Sequence, residues 1–392
     1  MRSVFQAVLF AILMVWSWPL AAQQGHNCAS YTIVIGSPED KVMLAVNGTD
    51  DPNAKVAALE KFVQGNAKST YLPCAEQLLT KYYLTLKQYD QAIAAGQKAV
   101  AANYLDTAFL ENLLQAYMGS GKASNEAFDL IMKAPAAIKA ETVVAKSTSE
   151  SDAQYEAAKK NALQAAKDST AYMVYAFFRF LPAVTDPSQL IKMLDQFTQA
   201  YPEIAKERAG LINYRYAIAY AQSNQTEKAD EYAEKAIAAD PNNIDALNLV
   251  SYDYALRLRT NQAKAEEYAQ KVLTLVPTMK KPEGVSDEAF KTQQDTQQGM
   301  AHLTLGFLDL SKTGASHRTA GAIKELRQAA DLLKANPELQ GEAYYFLGYS
   351  YEAYYPPRHQ EAEDALKQAE GIQNSMQGKA RELLAKIRQA TR

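Results

Sequence analysis

The chain has 392 residues with 41 basic against 44 acidic side chains and 48% hydrophobic content, at a mean hydropathy of −0.31. That is enough to bury a sizeable core and too polar for a multi-span membrane protein. Its 17 glycines and 14 prolines each make up about 4% of the chain, below the usual ~7% and ~5%, which argues for helix and against collagen, a disordered chain or an all-β sandwich; a net charge of −3 and two cysteines supply neither a basic field for nucleic acid nor a four-cysteine zinc site.

Residues 1–22 carry one charge, Arg2, then the apolar stretch 4–18, Pro19 and Leu20-Ala21-Ala22. This is the layout of a secretory signal peptide, and about fifteen apolar residues fall short of the ~20 that span a membrane. Cleavage would make the protein periplasmic or secreted; an uncleaved segment would instead anchor it, and only then is membrane contact expected. In an oxidising compartment Cys28 and Cys74 either pair or stand as two unrelated thiols, since pairing requires Cα atoms within about 7 Å.

Residues 23–72 read as an N-terminal segment with one leading helix. Over 73–139 the pattern is that of paired helices: Leu79 and Tyr83 precede Tyr89-Asp90-Gln91-Ala92-Ile93, Gly96 and Ala99, and Tyr117 ends another first helix before the turn Gly119-Ser120-Gly121. A polar connector, 140–151, follows. Residues 152–209 form a divergent helical repeat whose aromatic run (Tyr172, Tyr175, Phe177, Phe178, Phe180) contains Arg179 and stops at Pro182, the mark of a buried helix. In 210–376 the periodicity is plainest. Lys228-Ala229-Asp230-Glu231-Tyr232-Ala233 through Pro241 returns 36 residues later as Lys264-Ala265-Glu266-Glu267-Tyr268-Ala269 through Pro277. Tyr220 and Tyr254 stand upstream of these two blocks; Leu305-Gly306 precedes Ala322, Leu326 and Ala329, and Leu347-Gly348 and Tyr351 precede Ala362, Leu366 and Ala369. Residues 377–392 read as a polar-faced capping helix.

These landmarks resemble the tetratricopeptide repeat, a helix pair of about 34 residues with a Leu-Gly, Tyr, Ala, Phe/Tyr, Ala, Pro pattern. The resemblance implies an all-α, tetratricopeptide-like α-solenoid, a right-handed superhelix of antiparallel helix pairs. Small residues such as Ala229, Ala265, Gly306, Gly348 and Ala362 then stand where helices cross closely, and Tyr220, Tyr254 and Tyr351 fill the wedges between pairs. Phe62 before Ser69 and Tyr71, echoed by Phe197 and Tyr201, looks like the helical-repeat proteins of bacterial envelope assembly.

Motifs for chemistry are sparse. None of the four histidines (His26, His302, His317, His359) has a second histidine three or four residues on, so no helical metal site is written locally. Gly119-Ser120-Gly121-Lys122 lacks the first glycine and the final Ser/Thr of a phosphate loop and reads as a turn. No nucleophile elbow or dinucleotide fingerprint occurs, and no cofactor is expected. Carboxylates alternate with lysines on helical faces and read as solvated surface.

The inner wall of a solenoid is lined by the first helix of each pair. Counting from the landmarks, that wall is expected to include Tyr214, Ile218, Asn248, Tyr252, Leu303, Phe307, Tyr345 and Tyr349, an aromatic stripe with few charges suited to an extended or helical peptide. The carboxylate clamp of chaperone-tail receptors in this family is not expected, because Gln77 and Lys81 do not match it. The reading is a non-catalytic exported scaffold for protein or peptide partners. A glycan-binding protein using tyrosine platforms (Tyr345, Tyr349, Tyr354, Tyr355) and an enzyme with a dispersed acid/base site are the alternatives.

Overall fold

The computed structural model describes Cys28 and residues 31–312 and 316–390, for 316–318 the backbone alone. The leader at 1–22, His26 and the side chain of His317 therefore lie outside the described residues. All regular structure among the described residues is helical, and none of these helices is long and apolar enough to cross a membrane. The chain divides into two compact units, Met1–Ala183 and Val184–Arg392; the division falls inside the segment 152–209.

In the first unit Cys28 is bonded to Cys74, with the Cα atoms 5.5 Å apart. Two helices precede residue 72, α1 (Pro38–Asn47) and α2 (Pro52–Gly65), where the sequence suggested one. The reason is local. Ser37 and Asp51 each stand before a proline and accept a backbone N–H of the following turn, so the chain starts a helix twice within fifteen residues. The apolar stripe of α1 is thin, with only Val42 and Val46 buried. Next come α3 (Leu72–Thr85) against α4 (Tyr89–Ala101), and α5 (Thr107–Ser120) followed by α6 (Asn125–Glu141). Helix α7 (Asp152–Phe180) opens with a reciprocal cap between Ser151 and Gln154 and buries side chains only from Ser169 onward. There Phe177 and Phe180 meet Phe128 edge-on, at 5.8 and 6.0 Å between ring centres.

The second unit opens with α8 (Pro187–Ala200) and α9 (Pro202–Glu207). It continues as α10 (Ala209–Gln222) with α11 (Thr226–Ala239), α12 (Ile244–Tyr252) with α13 (Gln262–Leu275), α14 (Asp287–Ser311) with α15 (Ser316–Leu332), and α16 (Pro337–Ala353) with α17 (His359–Gly371), closed by α18 (Gln377–Ala390). Each helix packs most extensively on its pair-mate and then on the next pair, which is the tetratricopeptide-like arrangement expected from the sequence. Ala229, Ala265 and Ala362 have no exposed surface. At Gly306 and Gly348 a Cβ would stand 2.6 Å from Cγ of Leu326 and Leu366 respectively, so the pair-mates meet there at a separation that excludes any side chain. Asn243 stops the 240–242 turn and starts α12 by accepting from the Ala246 N–H at 3.0 Å. Helix α12 then widens into a π-turn, Asp253–Arg257, a form that often marks a functional or strained place.

Candidate functional site

The expected wall residues of the second unit gather at two neighbouring stretches of the first helices. One is a cleft of about 290 Å³ whose floor is Phe307 of α14 and Phe346 of α16 and whose rim carries Tyr345, Tyr349, Gln262 and Arg259. Phe307 and Phe346 meet edge-on at 5.0 Å, and Tyr345 meets Phe346 at 5.2 Å. Tyr349 is 49% exposed. Arg259 sits in the turn after the π-turn with φ of 54°, its guanidinium 5.7 Å from the centre of the Phe307 ring. It makes no ion pair among the described residues and lines the cleft. The stacking on Phe307 supports that charge without neutralising it.

The second cleft, of about 190 Å³, is lined by Tyr214 and Ile218 of α10, Asp245 and Asn248 of α12, and Gln297 of α14. Burial holds the Tyr214 phenol well above its ordinary range, Asp245 adding to the effect. It also raises the Asp245 carboxyl, against the hydrogen bond from Gln297. Asn248 donates from Nδ2 to the Gln297 carbonyl at 3.1 Å. Its Oδ1 is buried and accepts from no donor among the described residues.

Three of the expected wall residues lie deeper than the helical count placed them. Leu303 is fully buried, Asn248 is 1% exposed and Phe307 is 8% exposed. Tyr252 is not part of an open wall either: its hydroxyl donates to Glu342 Oε2 of α16 at 2.6 Å, and burial together with that carboxylate holds the phenol far above its usual range. The physical reason is that α14 and α16 close over α12. A phenol and an amide enclosed there need partners, which the later repeats supply. Arg259, Gln262 and Phe346 were not among the expected wall residues; a basic residue in the turn beside an aromatic first helix was the available signal. Of the proposed tyrosine platform, Tyr354 is capped by the Arg358 guanidinium at 4.4 Å, and Tyr355 is 83% exposed.

A buried acid pair lies elsewhere in the unit. Asp230 of α11 is 4% exposed and Asp253 of the π-turn 0%. Arg257 Nη1 stands 3.0 Å from Asp253 Oδ1, and among the described residues no other donor meets the four carboxyl oxygens. No group of three or more His, Cys, Asp or Glu gathers into a metal site among the described residues. His302 faces Glu325 at 2.6 Å and His359 faces Glu352 at 2.9 Å.

No family model and no curated protein matches the chain. Among solved structures it is similar to the C-terminal part of a TPR repeat-containing protein from Cytophaga hutchinsonii, at 15% identity and a TM-score of 0.37, over 76% of this chain and 95% of that one. It is also similar to the APC/C hetero-tetramer Cut9-Hcn1, at 13% identity and a TM-score of 0.30, over 91% of each chain. A third similarity is to the P58(IPK) TPR domain, at 13% and 0.24, over 90% and 97%. The tetratricopeptide-like fold rests on the helix pairs themselves.

Proposed function

We propose that the protein is an exported, non-catalytic repeat scaffold that binds a protein or peptide partner along the first helices of its second unit, in cell-envelope assembly. The observation that carries the reading is the cleft between α14 and α16: an aromatic floor, an exposed Tyr349 and an unpaired Arg259 at the rim. A pocket of this make-up seats an apolar side chain while its rim meets polar groups of the chain that bears it. The Cys28–Cys74 bond supports an oxidising compartment.

Cross-linked capture from an envelope fraction, run side by side with Tyr345→Ala/Tyr349→Ala, tests the binding surface. A specific partner should be lost from the variant at unchanged thermal stability; equal capture by both would refute it. Saccharide binding lost in the same variant would favour the glycan alternative. Mass spectrometry of the exported chain should find about 22 residues missing, and an intact Met1 would mean an anchor.

A further inference from the structure

The first unit carries a cleft of about 630 Å³ along α3, α5 and the end of α7. Three cations line it, Lys81, Lys87 and Arg179, and no carboxylate does. In a chain with more acids than bases, such a one-sided wall is not a consequence of composition. None of the three makes an ion pair among the described residues. Nearby acids are engaged: Asp90 pairs with Lys122 at 2.7 Å, and Glu111 accepts from the Ser169 hydroxyl at 2.7 Å. Like charges around one concavity repel each other and focus a positive field into it, a cost that a bound anion removes. The carboxamides of Asn112 and Gln115, three residues apart on α5 and so on one face, also line the cleft. Each offers a donor and an acceptor, the complement of a peptide group.

We infer that this cleft docks an acidic peptide segment through its side-chain carboxylates, held by Lys81, Lys87 and Arg179. The inference rests on the peptide-binding reading only in taking the anion to be a peptide; the cationic surface stands without it. The segment is held by its acidic side chains and not by its chain end, so blocking the terminal carboxylate leaves it bound.

The test uses the full exported chain and a fluorescein-labelled heptaglutamate peptide, C-terminally amidated or free, followed by fluorescence anisotropy. Saturable binding is expected at low salt, equal for the two peptides, weakened about tenfold or more by Lys81→Ala/Arg179→Ala and by raised salt. Arg259→Ala in the second unit should leave it unchanged, with circular dichroism unaltered in every variant. Absence of binding overturns the inference. So does binding that depends on Arg259 instead, binding of the free acid alone, or binding of a heparin fragment where the peptide fails. Because partner capture by the second unit is read with Tyr345→Ala/Tyr349→Ala, failure here and failure of the proposed function are separate results.

Discussion

Tyr252 ties two helix pairs together through one hydrogen bond. Its hydroxyl reaches a carboxylate, Glu342, that is 6% exposed and raised in pKa by that burial. Tyr252→Phe removes the donor and keeps the ring, so it should cost about 1–3 kcal/mol of stability in urea unfolding and leave partner affinity untouched. Tyr349→Ala, on the exposed rim, should do the reverse. The pair Asp230–Asp253 makes a second prediction. Burial, and then the facing Asp253, pushes Asp230 up to about 8; burial also raises Asp253, opposed by Arg257. An unfolded aspartate ionises near 4. The folded chain thus keeps a proton that the unfolded chain gives up, and this contribution to stability is complete below about pH 4 and lost as the pH rises to about 8. Thermal melts should therefore show the native chain weakening between pH 5 and pH 8 more steeply than Asp230→Asn, with the variant the more stable at pH 8. A native profile as flat as the variant's would refute the retained proton. None of this was legible beforehand. Asp230 sits in Lys-Ala-Asp-Glu, which reads as solvated surface, and only the approach of α11 to the π-turn buries it.

Helix pairing, by contrast, was written plainly. The Gly of each Leu-Gly pair and the Ala landmarks must be small because two helices touch there, and Gly348 shows why: a Cβ there meets Leu366 Cγ at 2.6 Å and the Ala362 carbonyl at 3.1 Å. Gly348→Ala should cost about 1–3 kcal/mol through overpacking, seen as a lowered unfolding midpoint with the helical spectrum intact. What the landmarks could not convey is depth. They fix the face a residue occupies on its own helix, but whether that face stays open depends on how far the next helix leans over it. Tyr345 and Tyr349 remain at a rim, whereas Asn248 and Tyr252 are roofed by α14 and α16. The cationic cleft of the first unit escaped notice for a related reason: Lys81, Lys87 and Arg179 lie up to 98 residues apart in the chain, and no local pattern joins them.

Both units were visible as stretches of paired helices, yet their division after Ala183 falls in a segment that the sequence presents as one divergent repeat. In the second unit the apolar core runs from Leu303 through Leu326 and Leu333 to Leu366 and Leu384 without a break. Deleting 341–392 should uncover Leu326 and Leu333 while leaving the earlier pairs folded; the shortened chain should stay helical by circular dichroism and aggregate at concentrations the intact chain tolerates. The near-neighbour packing of these pairs also has a mechanical meaning. Each helix packs first on its pair-mate and then on the adjoining pair, so tension applied along the chain meets a row of similar units and no single lock that must fail first. Pulled between its ends in an optical trap, the second unit should yield as a series of small steps, each releasing roughly 120 Å for a pair of about 36 residues, and rewind the same way when the force is relaxed. Such an array lengthens under load pair by pair, and a cleft shared by two pairs, as that between α14 and α16 is, opens with the first of them to yield.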